Sequence, residues 1–391
     1  MRGKQQVRLA IRLDRMGGHM TQFQLKTTIR LYENTEEFCR DFQIGKEDLI
    51  LTRRETYESY LQGYIGEATV IDFRKYGSGE PTDQMVEAVL KDLEGVSYRR
   101  VIAIGGGSIL DVGKLLVLKN ISPVQELFER KPALVKEKEY IAIPTTCGTG
   151  SEVTNISVLE LLQKQAKMGL AADELFADYA ILIPELLHTL PFRSFAASSI
   201  DAFVHALEAY LSPKANAFTR LFSVEAIKLI LKGFQQIAAE GEEARYPLLK
   251  DFLLASAYAG IAFGNAGVAA VHALSYPLSG AFHIPHGEAN YAILWGVLWR
   301  YNLLHPDGAI KELNDILAEL MVCKKEKLYE ELRSLFCWIL PGKSLKDYGA
   351  NREMPAVFTA SVLLHQGRLL ANNYVGLEQA DIQAIYDYLY E

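Results

Sequence analysis

A change of texture near residue 190 constrains this chain more than any other feature. Before it, short apolar runs alternate with helical stretches. DLILT (48–52) and EATVIDF (67–73) suit buried strands, and the Tyr- and Glu-containing stretch between them reads as a helix. GSGEPT (77–82) is a turn cluster, and DQMVEAVLKDLEG (83–95) carries helical periodicity. RRVIAIGGGS is a strand that runs into a glycine loop, and DVGKLLVLK is the helix after it. YIAIPTTCGTGSEVTN repeats that theme, and YAILIPE (179–185) adds another strand. Such alternation predicts an α/β unit with a mostly parallel sheet. Beyond residue 190, long periodic segments such as AASSIDAFVHALEAYL and FSVEAIKLILKGFQQIAAEG dominate, and strand signals nearly vanish. The expected organisation is an α/β domain over residues 20–190 and an all-α domain over 191–391, meeting along a ligand-binding cleft. Residues 1–19 hold five Lys or Arg and one Asp, without the apolar core of a secretory signal. They are expected to be a disordered extension ahead of Met20.

Composition removes some function classes. A net charge of −7 gives a nucleic-acid partner no electrostatic support. No run of 18 or more apolar residues is present, which argues against a membrane span. The four cysteines (Cys39, Cys147, Cys323, Cys337) lack zinc-motif or redox-motif spacing. Their sparseness fits a reducing compartment, hence a cytoplasmic expectation.

Two strand ends carry small residues. In VIAIGGGSILDVGK (101–114) a strand delivers Gly105, Gly106, Gly107 and Ser108 to the start of a helix. Glycines let a phosphate approach the backbone, and the first helical N–H groups point at it. The loop is neither GxGxxG nor a Walker loop, so a turn without a ligand stays open. At the second strand end, Thr145, Thr146, Gly148, Thr149, Gly150 and Ser151 could line a nucleotide crevice or simply make a tight turn.

Metal-ligating residue types cluster in the second half. Asp201 and His205, four residues apart in a helical pattern, share one face, as metal ligands or simply as a surface or capping pair. VHALSYPLSGAFHIPHGEAN (271–290) holds His272, His283 and His286, three of the chain's eight histidines. Pro277, Gly280 and Pro285 should break this stretch, and a fold-back would bring His272 and His286 together, the other reading being a loop with solvated histidines. Asp201, His205, His272 and His286 would suit iron or zinc rather than calcium or magnesium. Such a cation acts as a Lewis acid that eases ionisation of an alcohol, while a nicotinamide takes the hydride.

GGGSILDVGK, IPTTCGTGSEVTN, DAFVHALEAYLS and HALSYPLSGAFHIPHGEAN resemble, in order and separation, the motifs of the iron-containing (group III) alcohol dehydrogenases. The resemblance covers about residues 20–391. It implies a Rossmann-like N-terminal domain, a helical metal-binding C-terminal domain, and an NAD(P)-linked dehydrogenase that is a dimer or larger. It makes Asp201, His205, His272 and His286 the metal ligands, with Fe2+ expected and Zn2+ possible. It places Gly105–Ser108 at the pyrophosphate, with Asp111, Thr145, Thr146 and Lys167 helping to hold the cofactor. Within the family, YAGIAFGNAGVAAVHALSYPL, HIPHGEANY and RLLANNYV look most like the 4-hydroxybutyrate dehydrogenase branch, which implies interconversion of 4-hydroxybutyrate and succinate semialdehyde.

Two departures from the family pattern matter. Where many members have a histidine four residues after the third ligand, this chain has Tyr276, so the proton relay falls to Tyr276 or His283. Where many place an aspartate after the second strand, it has Thr52, Arg53 and Arg54, followed by Glu55. The resemblance favours NAD, and the arginines leave NADP open. A hydroxy-acid substrate also needs a carboxylate anchor, for which Arg193, Arg368 and Lys167 are candidates. Three other readings stay open: another short-chain alcohol or diol dehydrogenase, a dehydroquinate-synthase-like lyase, and a non-catalytic nucleotide-binding scaffold.

Overall fold

The structure, a computed structural model, describes residues 23–129, 133–164 and 166–391. The extension expected over residues 1–19 lies outside them. Six strands form a parallel sheet: β1 (Thr28–Leu31), β2 (Asp48–Thr52), β3 (Thr69–Asp72), β4 (Arg100–Gly105), β5 (Glu139–Pro144) and β8 (Tyr179–Leu182). Their order is β1-β8-β5-β4-β2-β3. The chain leaves β2 for β3 on one side and leaves β4 for β5 on the other. The connections therefore part between β2 and β4, the switch point at whose carboxyl ends open α/β sheets take ligands.

Alternate strand residues go to opposite faces of the sheet, because side chains alternate along a strand. Leu49, Leu51, Val101, Ala103, Tyr140 and Ala142 pack against helices α2 (Asp83–Asp92) and α3 (Gly107–Leu116), which follow α1 (Thr35–Phe42) in the chain. Ile50, Ile102, Ile104, Ile141 and Ile143 belong instead to one large core that continues into the C-terminal helices. The sheet half and the helical half thus share apolar contacts rather than meeting only across a polar cleft.

The helical half contains α4 (Phe192–Leu211), α5 (Ala217–Glu240), α6 (Leu249–Ala266), α7 (Ala270–Phe282) and α8 (His286–Leu304). Further helices follow, among them Met354–His365 and Gln379–Tyr390. No single helix among the described residues is long and apolar enough to cross a membrane.

Four local expectations change. The stretch after β2 forms only a short helical turn, Arg54–Thr56, followed by a π-turn, Tyr57–Leu61. YAILIPE is a strand only through Leu182, after which Pro184 opens a 3-10 turn. Pro277 does not end its helix: α7 runs through it to Phe282, and the break falls at His283–Pro285. An antiparallel hairpin, β6 (Ile156–Leu161) with β7 (Ala166–Ala171), was not anticipated.

Candidate metal and dinucleotide site

The glycine loop sits at the switch point. Gly105 ends β4, and Gly106 caps α3 without a side chain, which leaves the first N–H groups of α3 free of a side-chain cap. A Cβ on Gly107 would stand 2.8 Å from Thr149 Cγ2, so the second small-residue loop packs directly on the first. Thr145 N donates to Gly105 O (3.0 Å), and Thr146 lies beside Gly106. Ser108 Oγ donates to Gly79 O (3.2 Å), which draws the turn at residues 77–82 over the loop.

Asp111 faces inward. Its Oδ1 accepts from Ser151 Oγ (2.6 Å) and Lys114 Nζ (3.3 Å), and its Oδ2 accepts from Val158 N (2.9 Å). Its carboxylate thus fastens α3 to the second loop and the hairpin. Lys114 is fully buried, and burial lowers its pKa. Lys167, on β7, pairs with Glu80 at 3.0 Å. Arg54 pairs with Glu58, and Arg74 with Glu55, whereas Arg53 stays exposed at the end of β2.

The structure brings Asp201, His205, His272 and His286 together, with candidate ligand atoms all within 4.8 Å of one another. Asp201 and His205 come from one face of α4, His272 from the first turn of α7, and His286 from the start of α8. The residue after His286 has to be small. A Cβ on Gly287 would lie 2.2 Å from Ala197 O, so only glycine lets α8 start against the backbone of α4. This is the fold-back expected of the two histidines.

Hydrogen bonds fix the imidazole orientations. His272 Nδ1 bonds Glu208 Oε2 at 2.7 Å, and Glu208 also accepts from Ala269 N (2.9 Å) and Val271 N (2.6 Å). His205 Nδ1 bonds Gly148 O at 3.2 Å. With both Nδ1 atoms held by these oxygens, the two Nε2 atoms face each other at 3.0 Å. A shared electrophile, whether a proton or a metal cation, satisfies that arrangement. One carboxylate and three imidazoles, nearly all buried, fit a divalent transition metal.

Electrostatics agree. Burial pushes His205 down to about 3, which keeps the imidazole neutral, and burial likewise lowers His286. Burial alone would raise Asp201, but attraction to the imidazoles in their protonated form, His205 foremost, together with the Asn290 N–H, outweighs it and holds the carboxyl below its usual value.

The two relay candidates part company. The Tyr276 ring stacks on His286 (centroids 6.0 Å apart, 30° between planes), and burial pushes its phenol up to about 12. His283 takes the left-handed conformation (φ 52°) that ends α7 and is exposed. Among the described residues, no hydrogen bond or ring contact joins His283 to the cluster. Glu208 and Asn290, which supports the cluster from α8, are absent from the sequence expectation. Glu208 follows Asp201 by seven residues on the same helical face, and that spacing was the available signal. A surface depression of about 940 Å³, lined by Asp48, Arg100 and Glu139 among others, lies at the amino ends of the strands and holds none of these residues.

With this geometry in place, comparison with known proteins defines the class. The family model described as iron-containing alcohol dehydrogenase matches residues 30–184, and its Fe-containing C-terminal counterpart matches 195–390. The chain belongs to the iron-containing alcohol dehydrogenase family and is an oxidoreductase of that type. Among its relatives, the 4-hydroxybutyrate dehydrogenase of Clostridium kluyveri is 45% identical over 371 residues, covering 95% of this chain and 100% of that protein. The sulfoacetaldehyde reductase of Bilophila wadsworthia is 35% identical, over 82% of this chain and 85% of that one. Among solved structures, the sulfoacetaldehyde reductase of Bifidobacterium kashiwanohense in complex with NAD+ superposes with a TM-score of 0.81, at 25% identity over 95% of this chain and 99% of that one.

Proposed function

We propose that the chain interconverts 4-hydroxybutyrate and succinate semialdehyde, with NAD as the hydride acceptor. The alcohol carbon gives a hydride to NAD+, and the hydroxyl gives up a proton, yielding aldehyde, NADH and H+. Asp201, His205, His272 and His286 would hold iron(II), and the same donors accept zinc(II). When bound, the cation supplies Lewis acidity toward the substrate oxygen. The glycine loop and the first turn of α3 hold the pyrophosphate, with Thr145, Thr146 and Lys167 lining the crevice. Asp111 acts by positioning that loop.

Charges around Tyr276 carry the choice of substrate. Of the three anchor candidates, Arg193 is taken by Glu288 (2.7 Å) and Lys167 by Glu80 (3.0 Å). Arg368 has no ion pair or hydrogen bond among the described residues. It sits in the turn Gly367–Leu370, which packs against α7, and it is the foremost charged group acting on Tyr276. Arg368 receives the substrate carboxylate. Tyr276, protonated at neutral pH, stands beside His286 with a hydroxyl able to bond the substrate or pass its proton. The 45% identity to a 4-hydroxybutyrate dehydrogenase supports the same substrate. The sparse, unpaired cysteines support a cytoplasmic setting, and family resemblance supports a homo-oligomer.

The test compares kcat/KM for 4-hydroxybutyrate with that for 1-butanol, using NAD and anaerobic iron reconstitution. Wild type should favour the hydroxy acid. In Arg368→Gln the ratio should fall by roughly 10- to 100-fold, mainly through KM, the worth of a charge-assisted bond. A wild-type preference for butanol refutes the substrate. An unchanged ratio in the variant refutes the anchor.

A further inference from the structure

Asn290 is fully buried, four residues beyond His286 on α8, and therefore on the same helical face. Its Nδ2 lies 2.7 Å from Asp201 Oδ1 and 3.2 Å from both His272 Nε2 and His286 Nε2. Its Oδ1 has no partner. An unpartnered amide oxygen is costly to bury, and a leucine of similar size would avoid that cost. The amide nitrogen therefore has work at this position that an apolar group could not do.

The three contacts are unequal. At 2.7 Å the bond to Asp201 has the length of a charge-assisted hydrogen bond, while 3.2 Å to the imidazoles is at the long end for N–H donors. A carboxylate offers about four lone-pair sites, so one bond to Asn290 leaves others for a cation. The neighbouring ligands have comparable supports: Glu208 behind His272, and the Gly148 carbonyl behind His205.

We propose that Asn290 is a positioning residue for the metal: its amide N–H fixes the orientation of the Asp201 carboxylate, linking α8 to α4 across the cluster. Asn290 does not itself ligate the cation. The inference rests on the metal reading of the four-residue cluster but not on the choice of substrate. The carboxylate of Asp201 is the one anionic ligand, so a loss of its aim weakens binding more than it disturbs the fold.

The test measures metal retention rather than turnover. Wild type, Asn290→Leu and Asn290→Ala are loaded with Co2+ or Zn2+ and dialysed against graded chelator. Bound metal per chain is counted, and the visible spectrum of the Co2+ form is recorded. The expected result is a 10- to 100-fold weaker Kd in both variants, in the range found when supports behind metal ligands are removed, with displaced Co2+ bands. NAD binding by the same samples reports that the fold is intact. Retention equal to wild type overturns the proposal. So does tighter retention, which would mean that the amide competes with the cation. Failure of wild type to hold metal would sink the cluster reading itself. If neither variant folds, a crystal structure of metal-loaded wild type decides: the Asn290–Asp201 bond is kept, or the amide has turned away and the proposal is wrong.

Discussion

At the scale of single residues, Glu208 carries more structure than any ligand it supports. One carboxylate bonds His272 Nδ1 and two backbone N–H groups at the start of α7, setting both the imidazole orientation and the helix entry. Gly106 works the opposite way, through having no side chain. A Cβ there would meet Thr146 Cγ2 only at an ordinary 3.5 Å, so alanine fits the protein without strain. Gly106→Ala should leave the melting temperature nearly unchanged yet raise the KM for NAD on the order of tenfold, since the added methyl would crowd a pyrophosphate held by the proposed loop. Steady-state kinetics with varied NAD checks this, and an unaltered KM would move the pyrophosphate elsewhere. Asp201, His205, His272 and His286 were legible because their residue types and spacing are rare in an apolar stretch. Glu208 and Asn290 were not, because a buried carboxylate or amide looks like any polar helical residue until its partners are known. The family resemblance made Asp111 a cofactor contact, and its oxygens bond instead to Ser151, Lys114 and Val158.

At the scale of elements, glycine contacts join the two halves. Gly150 takes a left-handed conformation (φ 57°), and its Cα lies 2.8 Å from where a Cβ on Gly260 would sit. The second small-residue loop therefore rests directly on the backbone of α6. Gly260→Ala would also drive its methyl to 2.6 Å from Val153 Cγ2. We expect about 1–3 kcal/mol of destabilisation, the usual cost of overpacking, measurable by urea unfolding. NAD affinity and metal retention should fall together, since Gly148 in the same loop holds His205. Loss of stability with both affinities intact would show that the loop can shift without disturbing either site. The central strands were legible as apolar runs bounded by turn residues. β1 was not: it is four residues long and mostly exposed, pairing only with β8 at the sheet edge. ISVLEL does alternate buried and half-buried positions, but its partner strand, AKMGLA, has no comparable pattern. Only the pairing makes that hairpin visible.

At the scale of the whole molecule, the last strand of the sheet ends at Leu182 and α4 begins at Phe192, and the apolar core runs across that point. Alternation along the strands, isoleucines toward the helical half and mixed residues toward α2 and α3, held that information. It could not be read without knowing which face met which helices. The four cluster residues join α4, α7 and α8, so a cation there should stabilise the folded chain by mass action. At a free concentration 100-fold above Kd the gain is about 2.7 kcal/mol. Chelator treatment should therefore lower the melting temperature by several degrees, and added Fe2+ or Zn2+ should restore it. Calorimetry that finds no difference would mean that no metal is held.

The turn Gly367–Leu370 reaches α7 from a part of the chain that contributes none of the four cluster side chains. With Arg368 as the proposed anchor, recognition of a substrate's far end and the handling of its reactive end would be written in separate stretches of sequence. Exchange of a few residues in that turn should then change the guest and leave the hydride step untouched, a route by which one reaction could pass to enzymes with different tastes.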